Sequence, residues 1–461
     1  MDKKIFAPFI TEDDGKGSAQ WHTAAFLDAN YNFNLRSVIS DSSLYKKPAY
    51  TEALLRQVPD NFCLYPFSNF QLDPDGRARP CCKYKVGDAS WQNDVPKLPN
   101  VNIDELWHQP EYQKLRDSFL RGERPTGCKA CWDEEDAGIT SMRLTREQGG
   151  KQFPYATFFK HIPSPSPKSL DLKLSNLCNL KCRICTPFLS TQWIKEIKDL
   201  GIGDMGSMES FTNNSKEKFM GNPQNEQIVR QWAPEIDTVE FYGGEPLMQQ
   251  EHDRILKIMH DAGKPELTGL YYNTNSTICK ESLFELWKPF KEVFINFSVD
   301  DIAERFEYQR HNAKWLETLA NITQYQEYSA KHGVNMTLSL YVTVGILNVF
   351  YLKEFMAEME PTGINIILNM VHYPHHYSIV NLPPKVKDIV REKLLSIQNI
   401  TTLNLTGPTI DNIVNFMYGH EWDPKLLKVF FTKTAIHDAY RKESFEKTFP
   451  EFNVILSEYN T

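Results

Sequence analysis

Eight of the nine cysteines in this 461-residue chain fall between positions 63 and 185, and only Cys279 lies beyond them. A disulfide scaffold is usually a short secreted chain, whereas a long chain with clustered cysteines more often binds metal. The odd total also argues against full pairing. The start, MDKKIFAPFITEDD, has neither an apolar core segment nor a cleavage site. No apolar run approaches the ~20 residues of a membrane span. The expectation is therefore a cytoplasmic protein, in which the Asn321-Ile322-Thr323 sequon is a chance match. A net charge of −8 gives no basic footprint for nucleic acid.

Along the chain the texture changes several times. Residues 1–60 are poorly patterned and read as an N-terminal extension. Residues 61–150 carry five cysteines and one clear helix, from near Pro110 to before Gly122, with Tyr112, Leu115 and Phe119 on its apolar face. The Pro/Ser-rich stretch His161–Lys168 reads as a linker. From Ser169, Leu170, Leu172 and Leu174 alternate as in a strand, and a helix follows through Leu189, Trp193, Ile197 and Leu200. Further strands are predicted at Thr238–Tyr242, Leu270–Asn273, Val293–Val299, Met336–Val344 and Ile364–Val371. Six strands alternating with helices predict an α/β core over 165–385, a partial (β/α)6 barrel of TIM type with its function at the strands' C-terminal ends. Residues 386–461 read as a helical extension.

The first candidate metal site follows the first of these strands. Cys178, Cys182 and Cys185 form a C-x3-C-x2-C pattern on one loop. Three thiolates on a tight loop suit three corners of a [4Fe–4S] cluster and leave the fourth iron open to chelate a substrate. A zinc loop is the alternative, although zinc wants a fourth Cys or His nearby. Downstream, Phe241-Tyr242-Gly243-Gly244-Glu245-Pro246 ends the second strand.

This pattern resembles the radical S-adenosylmethionine (SAM) superfamily over residues 169–371. The resemblance implies a cluster at Cys178, Cys182 and Cys185 that reductively cleaves SAM to a 5′-deoxyadenosyl radical. It implies SAM contacts at Gly243, Gly244, Glu245 and Pro246, where glycines admit the methionine end and Glu245 or nearby carbonyls accept from its ammonium. Weaker matches are Asn275 (in Thr-Asn-Ser, where the family often has Thr-Asn-Gly), Ser298 for the ribose, and Arg310 for the carboxylate. Ile184 stands where an aromatic residue is common.

The N-terminal cysteines resemble the twitch domain, the half-size relative of the SPASM domain. That resemblance implies an auxiliary [4Fe–4S] cluster at Cys63, Cys81, Cys128 and Cys131, here preceding the core rather than following it. Cys82 competes with Cys81, and a structural zinc is the alternative reading of the two cysteine pairs. The expected activity is oxidation, dehydrogenation or cross-linking of a small molecule or peptide, with a low-potential electron donor of flavodoxin or ferredoxin type. Maturation of a ribosomal peptide, and a non-catalytic iron–sulfur or zinc scaffold, are the competing functions. His372–Tyr377 is a candidate substrate loop, weighed against a solvated surface loop. Residues 201–235, with Met205, Met208 and Met220, read as a lid or as packing, and Cys279 as a small buried residue.

Overall fold

The computed structural model describes residues 61–84, 96–136, 141–144, 165–202, 205–214, 216, 218–397, 405–406, 408–419 and 421–459, together with the backbone of four strands before residue 59. It divides into two compact units. One comprises Met1–Leu172, Lys218–Val239 and Ala262–Lys264, and the other Lys173–Glu217, Glu240–Asp261 and Pro265–Thr461.

In the first unit the poorly patterned N-terminus is a four-stranded antiparallel sheet. Its order is β1 (Ile5–Phe9), β2 (Trp21–Leu27), β3 (Phe33–Ile39) and β4 (Gln57–Val58). Next comes a hairpin of β5 (Asn69–Leu72) and β6 (Ala78–Arg79), turned by Gly76 at φ +87°. β7 (Ser169–Leu172) lies parallel to β5, Asn69 opposite Ser169. The helix expected near Pro110 runs Pro110–Leu120 and buries Tyr112, Leu115 and Phe119 as its spacing predicts. Pro at the first turn costs no hydrogen bond, and Gly122 beyond the end takes φ +76°. Before it, Ile103–Trp107 starts on an Asn102/Glu105 capping box. The end of the expected linker is ordered: the Lys168 amide donates to the Ser68 carbonyl at 2.8 Å, and its ammonium meets Glu235 at 2.6 Å. His161 to Ser164 lie outside the described residues. The insert contributes core, not only cover: helix Pro223–Trp232 buries Val229 and Trp232, and Asn225 accepts from the Ile103 amide at 2.9 Å. Met220 is half-buried, whereas the side chains of Met205 and Met208 lie outside the described residues.

The second unit is the α/β part. The two-residue β8 (Lys181–Cys182) sits in the cysteine loop. β9 (Thr238–Phe241) leads into it, as expected of the second core strand. β10 (Gly269–Thr274), β11 (Glu292–Ser298), β13 (Met336–Val344) and β14 (Asn365–Met370) pair in parallel in sequence order. β12 (Arg310–His311) leaves the sheet to pair antiparallel with β8. Parallel neighbours need crossover connections, which helices such as Gln250–Ala262 and Trp315–His332 supply. All six predicted strands therefore form. A further short strand, β15 (Leu405–Thr406), adds to β14 inside the stretch read as helical. A two-residue strand carries too little alternation to be legible. The remaining C-terminal elements are helical, chiefly Pro384–Leu395, Ile410–Tyr418 and Pro424–Arg441. Among the described residues no helix is long and apolar enough to cross a membrane.

Candidate iron–sulfur and S-adenosylmethionine site

The loop after β7 gathers three thiols. Cys178 is buried, and Cys182 and Cys185 are half-buried. A turn closed by the Cys185 amide on the Cys182 carbonyl at 3.0 Å brings the last two round. Donors already face the sulfurs. The Leu180 amide lies 3.5 Å and the Asn275 amide nitrogen 3.7 Å from Cys178 Sγ, and Arg310 Nη1 lies 3.8 Å from Cys182 Sγ. Burial, then the neighbouring Cys182, pushes the Cys178 thiol up to about 12. Burial also raises Cys182 and Cys185, the latter further by the charges of Cys182 and Cys178. Three dry thiols that repel one another as anions, yet face hydrogen-bond donors, suit a cationic iron–sulfur core that would stabilise all three thiolates together.

The Gly-Gly-Glu turn clasps this loop. Gly243 and Gly244 take φ +70° and +56°. A Cβ on Gly244 would stand 2.4 Å from the Leu177 carbonyl oxygen, and one on Gly243 2.7 Å from the Lys173 side chain. The two glycines are thus required by the close approach of the cysteine loop itself, a reason the sequence does not reveal. The Glu245 amide then donates to the Leu177 carbonyl at 2.8 Å.

Glu245 is fully buried. Its carboxylate accepts from Thr274 Oγ1 at 2.9 Å, the Asn275 amide at 2.7 Å and the Leu247 amide at 3.2 Å. Burial pushes its pKa up to about 7 against those donors. The sequence expectation places Glu245 or nearby carbonyls at the SAM ammonium; in the structure the carboxylate's partners are at the end of β10 and in the turn at Leu247. Pro246 opens the short buried turn that follows.

The strand-end residues fall as follows. Asn275 is buried, and its amide group bridges Cys178 Sγ and Asn179. Ser276, which replaces the family's glycine, itself adopts φ +65°, so the left-handed turn survives. Ser298 ends β11, half-buried beside Tyr341. Arg310, expected at the SAM carboxylate, pairs through Nη2 with Asp300 at 2.7 Å and faces Cys182 through Nη1. The guanidinium is thereby directed at the cysteine corner. Asp300, Asn179 and Leu177 carry no motif signal, because their roles depend on residues up to a hundred positions away.

The second cysteine group lies in the first unit. Cys63, Cys81, Cys128 and Cys131 line one pocket, along with Tyr84 and Arg143. Cys82 is not in that lining; it is exposed, and its sulfur meets Met142 Sδ at 3.7 Å. Gly127 keeps the pocket wall tight, since a Cβ there would stand 2.5 Å from the Tyr84 ring. Burial pushes the Cys128 thiol up to about 12 and raises Cys131; Cys81 rises by burial and by the charges of Cys82, Cys128 and Cys131. Among the described residues no three His, Cys, Asp or Glu side chains close on one point as a single metal ion requires. A cubane makes no such demand, because its thiolates sit on separate irons.

His372–Tyr377 is divided. His372, Tyr373 and His375 are exposed, while His376 and Tyr377 are buried, Tyr377 against Phe430 at 5.8 Å. Burial and the nearby Lys433 bring His376 down to about 4. Cys279 is half-buried rather than buried.

Residues 172–359 match the radical SAM superfamily, and residues 63–132 match the SPASM iron–sulfur cluster-binding domain. No curated protein matches. Similar solved structures include native anSMEcpe with bound AdoMet, 16% identical, covering 51% of this chain and 63% of that one, TM-score 0.35. Another is Streptococcus suis SuiB bound to S-adenosylmethionine, 16% identical, covering 64% and 66%, TM-score 0.36. A third is the radical SAM methyltransferase TsrM from Kitasatospora setae, 10% identical, covering 61% and 59%, TM-score 0.28. The chain thus spans about three fifths of the length of these structures. Residues 172–359 thus form a radical SAM domain, and residues 63–132, ahead of it in the chain, a SPASM-type iron–sulfur domain. The cofactors are accordingly a SAM-binding [4Fe–4S] cluster, SAM, and auxiliary iron–sulfur.

Proposed function

We propose that this is a radical SAM enzyme that abstracts hydrogen from its substrate and passes the resulting electron to an auxiliary [4Fe–4S] cluster, giving oxidation, dehydrogenation or cross-linking. The observation that carries the reading is the loop of three desolvated thiols clasped by the Gly-Gly-Glu turn. When bound, the cluster and SAM supply one-electron cleavage to a 5′-deoxyadenosyl radical. Cys178, Cys182 and Cys185 hold three irons. Asn275 and Arg310 donate to the Cys178 and Cys182 sulfurs, and Glu245 holds the ends of β9 and β10 in register for the loop. Backbone carbonyls about Gly243, Gly244 and Pro246 orient the methionine end of SAM, and Ser298 meets the ribose.

In the same reading Cys63, Cys81, Cys128 and Cys131 hold the auxiliary cluster. Four protein ligands close it to substrate and suit it to electron transfer. The parts are a 1–60 extension, a 61–150 twitch-type domain, a 165–385 core and a 386–461 helical region. The first electron comes from a flavodoxin- or ferredoxin-type donor, in a reducing cytoplasm that suits cysteines held out of disulfides. A peptide substrate is the second reading. It is favoured by the N-terminal antiparallel sheet: among the described residues β1 pairs with β2 alone, and an extended peptide adds to such an edge.

The test is anaerobic reconstitution, with iron and sulfide counted and 5′-deoxyadenosine assayed after dithionite reduction. About eight irons with SAM- and reductant-dependent product is the expected result. About four irons with product would convert the N-terminal site to zinc or an empty fold. Loaded clusters that fail to bind SAM would overturn the reading.

A further inference from the structure

The two residues flanking Cys182 are both charged, and both are tied, Lys181 through Glu196, to the helix Pro424–Arg441 and the turn after it, some 250 positions later. Lys181 Nζ meets Glu196 at 2.5 Å. Glu196 is fully buried and also accepts from His437 Nδ1 at 2.7 Å and from Arg441 Nε at 2.9 and 3.0 Å. Arg183, equally buried, pairs with Asp438 and with Glu443 at 2.5 Å, and lies 3.8 Å over the Tyr308 ring. Tyr308 donates to Asp438 at 2.8 Å, and Glu443 accepts also from His311 at 2.5 Å. His311 stands opposite Lys181, and Arg310 opposite Cys182, in the β8–β12 ladder. Even the Cys182 carbonyl is held, by Trp193 Nε1 at 3.1 Å, and that ring packs against Arg441 at 4.6 Å and His437 at 5.0 Å.

We propose that the helix Pro424–Arg441 and the turn through Glu443 form a preorganising clamp that fixes the Cys182 corner of the loop before iron arrives. The proposal rests on the reading of Cys178, Cys182 and Cys185 as a cluster site. Two arguments support it. Buried ion clusters add little net stability over an apolar core, because desolvation offsets their attraction; their better-attested use is to select one geometry. A loop ordered only on binding would also charge its conformational entropy to the cluster, whereas a loop already held does not. Glu196, Asp438, Arg441 and Glu443 are positioning residues here, acting through Lys181 and Arg183.

The test uses the full-length chain with Glu443→Gln, a partly exposed carboxylate, beside Asp438→Asn, and Glu443→Asp as the rescue. In iron-free protein, backbone amide exchange over 178–185 should quicken at least about ten-fold in the two neutral variants, while Cys81–Tyr84 keeps its wild-type rate. After reconstitution, the EPR signal of the SAM-binding cluster should weaken by about half or change shape, the auxiliary signal should not, and Glu443→Asp should restore the first. Unchanged exchange and spectra in folded variants would overturn the clamp. So would equal loss at both clusters, which would mean general destabilisation. If the wild-type chain took up no iron at 178–185, the cluster reading would fall, while exchange in the iron-free protein would still decide the clamp.

Discussion

Replacing Gly244 by alanine asks whether the cysteine loop is held by the turn after β9. Two costs arise. Alanine at φ +56° carries the left-handed penalty of about 1–2 kcal/mol. Its Cβ would also stand 2.4 Å from the Leu177 carbonyl oxygen, with Ser175 O at 3.0 Å behind it. That carbonyl must retreat by roughly 0.6–1 Å to ordinary contact, and Leu177 adjoins Cys178; overpacking of this kind costs about 1–3 kcal/mol. The sum is about 2–5 kcal/mol, spent on the segment that aims the thiols. Gly333→Ala is the matched control: φ is +67° and nothing lies within 4 Å of the added carbon, so only the first cost applies. Urea unfolding of the iron-free chains should separate the two variants by the clash alone. Iron uptake should fall in Gly244→Ala and not in Gly333→Ala. Equal destabilisation with normal iron uptake in both would refute the claim that this glycine exists for the loop.

Further outcomes follow from the same geometry. Cys178→Ala, Cys182→Ala or Cys185→Ala should each abolish 5′-deoxyadenosine formation; normal cleavage in any of them would sink the mechanism. Cys128→Ala should lower iron by about four per chain, sparing uncoupled SAM cleavage while impairing turnover; full turnover would make that site structural. Glu245, its pKa raised to about 7 by burial, holds a proton in the fold that it gives up in the unfolded chain above the ordinary carboxylate value near 4.5. Its contribution is therefore complete below pH 4.5 and is lost as pH rises through 7, by up to about 3 kcal/mol. Glu245→Gln should flatten the pH dependence of unfolding in that window. An unchanged slope would mean the carboxyl is not the group that titrates.

Much of the chemistry was legible because it is local. Three cysteines within eight residues must share a loop, and a Pro-start, Gly-stop segment with apolar residues on one face must be the helix Pro110–Leu120. Strand alternation likewise located all six core strands. The four N-terminal strands and β15 were not legible, being too short or too mixed to alternate clearly.

The sequence by itself determined the class of chemistry: which cysteines are adjacent, where the glycine turn falls after a strand, and how strands and helices alternate. Periodicity and spacing carry such information directly. Only the tertiary structure decided what each polar group is for. It turned Glu245 inward to the β10 end, aimed Arg310 at Asp300 and Cys182, and set Cys81 rather than Cys82 in the pocket wall. It also joined Lys181 and Arg183 to a helix at the far end of the chain. The physical reason is that a buried charge must find its partner wherever the fold supplies one, and a partner some 250 residues away leaves no trace in local pattern.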